Sequence, residues 1–260
     1  MKNLSVVGLA TLFALAILAF PVHAEIDPET IIGIWLLDQN DDNIAIDSSG
    51  NGNDGQLVNG ATWGDGKFED ALELNGAGAH VEFGINNNLK PEFFTLMAWF
   101  NTRKINGYGH IFQSGKDWDD MAGIVFRVHQ DGYFQAAVAT NAGNTGSWCN
   151  GPNLTDDTWY HAALTFDGTS LILYMDGNEI ARGTGGEAFY DDRTVRMGVH
   201  PDDTGSAFDG FIDEFALFSE ALIMDDIVAI MNNGLSELIT LEAVFPAMKL
   251  ATTWGSIRAD

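Results

Sequence analysis

The chain has 260 residues, of which 37 are acidic and 12 are basic, so its formal net charge is −25. A field of that sign repels phosphate backbones, which argues against nucleic acid as a partner and favours divalent cations. The single cysteine, Cys149, excludes an intramolecular disulfide. The size of the core or a bound metal must therefore stabilise the fold.

The N-terminal residues 1–24 have the pattern of a signal peptide. Lys2 precedes a mostly apolar run over residues 4–20, and the segment "PVHA" (21–24) ends in a small residue suited to cleavage. The run is too short and too close to the terminus to favour a transmembrane helix, and no second run of spanning length follows it. We therefore expect an exported protein, secreted or periplasmic, with no membrane span after cleavage.

Beyond the signal peptide, apolar residues recur mostly at every second position, which is typical of strands. This period predicts strands over residues 30–37, 71–76, 80–83, 94–102, 123–128, 133–140, 159–166, 170–176, 179–183 and 211–218. Three Asp-Gly pairs lie between neighbouring strands and supply the positive φ angles of tight turns, at 131–132, 167–168 and 176–177. Short strands joined by such turns predict an all-β antiparallel sandwich or barrel.

Residues 222–232 ("LIMDDIVAIMN") predict one short helix near the C-terminus. Apolar residues recur in it at helical spacing, two aspartates stand near its start, and an Asn-Gly pair follows it as a stop. The sequence changes character again beyond residue 240. We therefore expect one domain over residues 25–235 and a C-terminal tail over residues 236–260.

Four segments resemble, in residues and in order, the laminin-G-like, concanavalin A-like jelly-roll domains of exported bacterial proteins: "WLLDQNDDNIAIDSSGNGNDGQLVNGATWGDGKFEDALELNG" (35–76), "FTLMAWF" (94–100), "TWYHAALTFDGTSLILYMDGNEIARG" (158–183) and "FDGFIDEFALFSEALIMDDIVAIMNNG" (208–234). The resemblance implies two antiparallel sheets stacked face to face. It also implies that Trp35, Trp99 and Trp159 are core aromatics. Because this fold serves lectins, adhesins, glycosidase-attached modules and spacers, it leaves the function open.

The sequence lacks the carboxylate pattern of a polysaccharide-cleaving enzyme. A retaining mechanism needs two carboxylates on one face of a strand. Asp117 and Asp119 alternate, but the residues around them have no strand propensity. Asp213 and Glu214 are adjacent, so a regular strand directs them to opposite faces. No Gly-x-Ser-x-Gly elbow is present either, so we expect a protein that is not an enzyme, with a glycoside hydrolase as the less favoured alternative.

The loop "DSSGNGNDGQ" (47–56) has carboxylates and glycine-exposed carbonyls, which suit calcium. In the family that the chain resembles, a calcium ion often ties the first strand and its following loop to the last strand. The matching positions here are Asp38, Asp47 and Asp213, which the resemblance implies as ligands of a structural Ca²⁺. The alternative is that Asp47 caps a turn through its own backbone, as aspartates do readily.

Sugar recognition by such modules needs exposed aromatic faces together with polar groups that bond hydroxyls. Candidates in Gly-, Asn- and Asp-rich segments, read as loops, are Tyr108, Trp118, Asp119, Asp120, Trp148 and Asn150. They predict a lectin-like module that binds carbohydrate or a cell-surface glycan. The alternative is a surface adhesion or protein-interaction domain without sugar specificity.

Overall fold

The computed structural model describes residues 26–39, 43–104, 107–117, 121–140 and 145–239. The expected signal peptide lies outside the described residues, and so does the expected tail beyond residue 239. Among the helices of the described ranges, none combines the length and apolar character needed to cross a bilayer.

The described residues form strands over most of their length, with one α-helix, α1 (Met224–Asn233), and short 3₁₀ turns at Pro28–Thr30 and Asn87–Leu89. The strands in chain order are β1 (Ile31–Trp35), β2 (Ile44–Ala45), β3 (Gly55–Val58), β4 (Thr62–Asp65), β5 (Asp70–Asn75), β6 (His80–Gly84), β7 (Phe94–Thr102), β8 (Gly109–Gln113), β9 (Ile124–Val128), β10 (Tyr133–Thr140), β11 (Thr145–Asn153), β12 (Trp159–Phe166), β13 (Ser170–Met175), β14 (Asn178–Thr184), β15 (Val195–Met197), β16 (Val199–His200), β17 (Asp203–Ala207) and β18 (Asp209–Phe218).

These strands form two sheets. The back sheet has the order β14-β13-β12-β7-β18-β5-β4, with β1 added on β18. The front sheet has the order β11-β10-β9-β8-β15-β6-β3-β2, with β16 and β17 beside β8. Pairing is antiparallel throughout the described strands except for a single parallel contact between β17 and β8. The predicted all-β, two-sheet antiparallel jelly-roll sandwich is confirmed.

The three Asp-Gly pairs join antiparallel neighbours, as predicted. They connect β9 to β10, β12 to β13, and β13 to β14. In the last of these turns Asp176 and Gly177 have φ angles of 46° and 75°. Two successive positive φ angles define the type I′ turn, whose twist matches that of the flanking strands.

The core lies between the sheets and is rich in aromatic side chains. Its largest members include Trp35, Phe100 and Phe126, all fully buried. Trp35 also donates from its indole nitrogen to the carbonyl of Asn53 at 3.1 Å, which attaches β1 to the loop before β3. Trp35 is therefore a core residue, as predicted.

Trp99 and Trp159 lie on the outer face of the back sheet and not between the two sheets. Trp99 is nevertheless buried, so the prediction is wrong only for Trp159, which is partly exposed. Ala98 and Phe100 point into the core, so alternation along β7 turns Trp99 outward, where its ring meets that of His161 with centroids 5.4 Å apart. Trp159 is half-buried and packs against Phe211. Strand periodicity alone does not say which of its two faces is the inner one.

Helix α1 covers another part of the outer face of the back sheet, as its predicted amphipathic character requires. Ile227 and Ile230 pack in a second apolar cluster with Met97 and Ala216 from the sheet. The helix begins at Met224, two residues after the predicted start, and ends at Asn233 before Gly234, whose φ is 82°. A glycine at that position avoids the strain that a Cβ atom would introduce.

Candidate functional site

The outer face of the front sheet carries a row of polar side chains. Phe126 and Phe134 point into the core, so Arg127 and Gln135, their successors on β9 and β10, face outward. Gln135 pairs in register with Arg127 on one side and with Asn150 of β11 on the other. The three side chains therefore lie side by side across three strands.

Hydrogen bonds hold this row in one arrangement. Arg127 donates from Nε and Nη2 to Oε1 of Gln135 at 3.0 and 2.7 Å. The amide of Gln135 donates in turn to Oδ1 of Asn150 at 2.9 Å. The side chain of Asn150 is thus oriented by its oxygen, and its NH₂ group remains as a donor at an exposed position.

Aromatic rings surround the guanidinium of Arg127. Its carbon lies 4.3 Å from the ring centre of Tyr108 and 5.3 Å from that of Trp148. The row of rings continues from Tyr108 to His129, with centroids 4.9 Å apart, and from His129 to Tyr133, stacked at 4.3 Å. Trp148 is 36% exposed, more than any other tryptophan that the structure describes. We use the name front patch for Tyr108, Arg127, His129, Tyr133, Gln135, Trp148 and Asn150.

The carboxylate of Asp117 closes the front patch from one side. It accepts a hydrogen bond from Nη1 of Arg127 and lies 3.3 Å from Nε2 of both His110 and His200. Burial opposes ionisation of Asp117, but its close contacts with the two histidine rings and the charge of Arg127 outweigh burial and hold the pKa of Asp117 well below the usual range. Burial lowers the pKa of His110, so at neutral pH the aspartate chiefly balances the guanidinium.

Three of the six predicted ligand-binding residues meet in this patch. The structure brings Tyr108, Trp148 and Asn150 together around Arg127 and Gln135. Trp118, Asp119 and Asp120 lie outside the described residues. The loop assignment is wrong for Trp148, Cys149 and Asn150, which are part of β11. "GSWCNGPN" is poor in strand-forming residues, and its pairing with β10 rather than local propensity makes it a strand.

The predicted metal ligands divide between two places, the first of which is a β-bulge in β18. Ile212 and Phe215 both point into the core, although they are three residues apart. The pairing of β18 with β7 shifts register here, and Glu214 has a φ of 50°. The bulge inserts one extra residue between Asp213 and Ala216, so Asp213 and Glu214 both lie on the outer side, and the expectation that they face opposite ways is wrong because the bulge breaks the alternation.

Asp213 and Asp38 form an acidic cluster with Glu214. Oδ2 of Asp213 accepts from the backbone N–H groups of Lys67 and Phe68 at 2.8 and 2.9 Å, while its buried Oδ1 has no hydrogen-bond partner in the described part of the chain. Burial, aided by neighbouring negative charge, raises the pKa of Asp213 to about 8, that of Glu214 to about 7 and that of Asp38 to about 6.

Asp47 belongs to a different structure, the loop over residues 47–54. Its Oδ1 accepts from the N–H groups of Ile34 and Ser49, both at 3.0 Å, and its Oδ2 accepts from that of Asn53 at 2.9 Å. The side chains of Asn51 and Asn53 donate to the carbonyls of Ile31 and Ile32. Both oxygens of Asp47 are therefore used in capping its own loop and attaching it to β1.

The fit to a calcium ion is partial. Asp38 and Asp213 present carboxylate oxygens to one region, and the unpartnered Oδ1 of Asp213 is the kind of atom that a cation would satisfy. Across the described residues, however, no three side chains from histidine, cysteine, aspartate or glutamate converge on a metal position. Backbone carbonyls or waters would have to complete the shell, which calcium tolerates.

Comparison with protein families identifies the fold. The family model described as "Concanavalin A-like lectin/glucanases superfamily" matches residues 75–228, more than half of the chain. The chain belongs to this superfamily. No curated protein matches it.

Solved structures similar to this concanavalin A-like chain include a domain of a glycosidase and several toxin binding domains. One is domain 4 of AbnA, a GH43 extracellular arabinanase from Geobacillus stearothermophilus, in complex with arabinotriose, with 20% identity, a TM-score of 0.61, and 77% of this chain and 98% of that chain covered. Another is the binding domain of Paraclostridial Mosquitocidal Protein 1, with 15% identity, a TM-score of 0.62, and 79% and 52% covered.

A third similar structure is the binding domain of botulinum neurotoxin DC in complex with SialylT, with 17% identity, a TM-score of 0.60, and 79% and 52% covered. The chain spans about half the length of these toxin domains. At sequence identities this low, the similarity to these structures shows only a shared fold. The function of this superfamily member must therefore be argued from its own side chains.

The capping role of Asp47 gives a first test. In this concanavalin A-like chain, Asp47→Ala leaves the N–H groups of Ile34 and Asn53 without their acceptor, so we expect it to lower the free energy of unfolding by about 2–4 kcal/mol. Asp47→Asn keeps one acceptor oxygen and should cost less. Urea denaturation with EDTA present measures both. A cost that appears with calcium and vanishes in EDTA would instead assign Asp47 to a metal site.

Proposed function

We propose that the chain is a non-catalytic module that binds carbohydrate on the front patch. The observation that carries this proposal is the exposed indole of Trp148 beside the oriented amide of Asn150. An indole face packs against the C–H face of a sugar ring, and an amide held by Gln135 is ready to donate to a hydroxyl. Because hydrogen bonds fix the row in advance, binding costs little side-chain entropy.

Two of the similar structures support a glycan-binding role. Domain 4 of the arabinanase was solved in complex with arabinotriose, and one neurotoxin binding domain in complex with SialylT. The first of these is a domain of an extracellular arabinanase. The proposal for this chain nevertheless rests on the front patch, since the identities are low.

The position of the paired carboxylates supports a role other than catalysis. The bulge places Asp213 and Glu214 on one side of β18, but they are 0% and 5% exposed. The backbone of Lys67 and Phe68 covers Asp213, and that of Leu235 donates to Glu214. A glycosidase needs its acid and its nucleophile on either side of a bound sugar, and a sugar ring does not fit beneath these loops.

A protein-interaction domain is the second candidate function. The front patch combines tryptophan, tyrosine and arginine, the residue types that dominate protein–protein hot spots. One of the similar neurotoxin domains was solved in complex with rat synaptotagmin II. This candidate predicts a protein ligand on the same patch and no dependence on sugar.

A glycan array separates the two candidates. The chain, labelled away from the front patch, is applied to immobilised oligosaccharides of plant, bacterial and animal type. Binding to particular immobilised saccharides, abolished by an excess of the same oligosaccharide in solution, supports the carbohydrate-binding function. A silent array, from a sample whose circular dichroism shows an intact β fold, argues against that function and favours the protein-interaction domain.

We further propose that Asp38 and Asp213 hold a structural Ca²⁺ that joins the end of β1 to β18. The support is geometric: the Oδ1 atom of Asp213 is fully buried, has no hydrogen-bond partner among the residues that the structure describes, and belongs to a cluster of carboxylates. A divalent cation would neutralise that cluster and satisfy the atom. The ion would stabilise the sandwich and take no part in binding sugar, because it lies on the back sheet.

We also propose that the chain is exported, with residues 1–24 removed and residues 25–235 forming the working domain. The support is the sequence pattern at the N-terminus, a basic residue followed by an apolar run and a small residue suited to cleavage. Mass spectrometry of the protein recovered outside the cytoplasm tests it. A mature N-terminus near residue 25 is the expected result, and an intact N-terminus would contradict it.

A further inference from the structure

The positive charge at the centre of the front patch belongs to Arg127, and the carboxylate of Asp117 balances it. Arg127 is the cation that a negatively charged sugar would meet there, yet it is only 7% exposed. Nη1 donates to the Asp117 carboxylate, and Nε and Nη2 donate to Gln135. Its two flanking rings, Tyr108 and Trp148, occupy the remaining approaches. With so little of the side chain exposed, a sugar carboxylate has little room to pair with the guanidinium of Arg127.

The other charges around the patch do not favour anions. Burial and the guanidinium of Arg127 lower the pKa of His129, so its imidazole is neutral at neutral pH. Burial likewise lowers the pKa of His110. The chain as a whole carries a formal charge of −25, and the resulting field lowers the local concentration of anionic ligands.

The front patch extends over several side chains, which is more than one sugar ring can cover. From Trp148 through Arg127, Tyr108 and His129 to Tyr133, successive ring or guanidinium centres are 4.3–5.3 Å apart. These five side chains form a continuous row, in which Arg127 lies against the rings of Trp148 and Tyr108 and the ring of His129 stacks on that of Tyr133. A row of this kind offers several neighbouring contacts to a chain of sugars and only one of them to a terminal sugar.

From these features we infer that the front patch selects uncharged oligosaccharides and discriminates against those with carboxylates, such as uronates and sialylated glycans. The inference rests on the proposed function and adds the class of ligand. Arg127 supports the rings of Tyr108 and Trp148 from below, and the carboxylate of Asp117 balances its charge. Exposed donors, foremost the amide of Asn150, recognise the hydroxyls.

The test compares two oligosaccharides that differ only in charge. An α-1,4-linked oligogalacturonide and the α-1,4-linked galacto-oligosaccharide of equal length differ only in having a carboxylate or a hydroxymethyl group on each ring. Isothermal titration calorimetry at low salt should give a Kd at least tenfold lower for the uncharged chain. Equal or tighter binding of the uronate overturns the inference and leaves the proposed function standing, whereas silence across these and the arrayed glycans overturns both.

A variant and a salt series provide two further measurements of whether the charge of Arg127 is available to a ligand. Asp117→Asn removes the charge that balances Arg127. The Kd of the uronate divided by the Kd of the uncharged chain should therefore fall by several-fold or more in this variant. If that variant does not fold, the wild-type chain is titrated at about 10 mM and 150 mM salt, between which the Debye length shortens from about 30 to 8 Å. A uronate affinity that weakens with salt would reveal a free cation and overturn the inference.

Discussion

Replacing Trp148 with alanine is expected to weaken glycan binding by about 2 kcal/mol or more, which is roughly 30-fold in Kd. The indole supplies the most exposed aromatic face of the front patch, and Arg127 supports it from below at 5.3 Å. Because that face is not part of the core, the thermal midpoint should change little. Calorimetric titration with the strongest array ligand measures the first effect, and thermal melting the second.

Trp159→Ala is the matched control. It removes a half-buried indole of the same size from the outer face of the back sheet, where Trp159 packs against Phe211. Its glycan affinity should equal that of the wild type, although packing against Phe211 makes some loss of stability expected. If Trp148→Ala retains full affinity while Trp159→Ala loses it, the ligand lies on the back sheet and the front patch is not the binding site.

The fold could be predicted from the sequence wherever local chemistry determined it. Asp176 and Gly177 accept the positive φ angles of a tight turn, so the β13–β14 hairpin follows from two residues. β11 could not be predicted in this way. Its residues have little intrinsic preference for a strand, and its pairing with β10 places Trp148 opposite Ala137. That pairing is a tertiary effect, which a local pattern does not contain.

The candidate site also combines residues that local sequence reveals with residues that only tertiary pairing brings together. Residues that stand out individually, such as Trp148 and Tyr108, were found from residue type in polar segments. Arg127 and Gln135 were missed because each is an ordinary polar residue in an alternating strand. Their importance comes from register, which puts one opposite the other. The alternation in "IVFRVHQDGYFQ" was a usable signal, since it shows that both face away from the core.

The acidic cluster shows the limit of alternation as a guide. A regular strand turns Asp213 and Glu214 to opposite faces, and the sequence "FIDEF" shows no glycine or proline that would mark a bulge. Glu214 nevertheless adopts a φ of 50°, a conformation that is costly for such a residue. The surrounding pairing of β18 with β7 enforces it, and this brings the two carboxylates together near Asp38.

Adding calcium is expected to raise the thermal midpoint of the chain at pH 8 by roughly 5–10 °C over its value in EDTA. A ligand at 100 times its Kd stabilises the folded state by about 2.7 kcal/mol, and each kcal/mol corresponds to about 2–4 °C for a domain of this size. Scanning calorimetry in both solutions measures the difference. Equal midpoints at pH 8 would show that no calcium binds and would leave the carboxylates to neutralise themselves by protonation.

The pH dependence of stability strengthens this test. Raising the pH lowers the stability in EDTA, whereas it increases the stabilisation by calcium. In EDTA, burial raises the pKa values of Asp38, Asp213 and Glu214 to about 6, 8 and 7, above their ordinary values near 4. The folded chain then binds more protons than the unfolded chain between about pH 4 and pH 8, so stability falls as the pH rises through that window. Calcium requires ionised ligands, so its stabilisation grows over the same window.

Two variants identify Asp213 as the source of the effect. Asp213→Asn replaces the carboxylate with a neutral group that resembles its protonated form. This variant should lose the calcium response and, in EDTA, should lose less stability than the wild type between pH 5 and pH 8. Asp225→Asn, which changes an exposed aspartate at the start of α1, should keep the full response. Calcium stabilisation that survives Asp213→Asn would place the ion elsewhere, and a flat pH profile of the wild type in EDTA would mean that the cluster is solvated rather than buried.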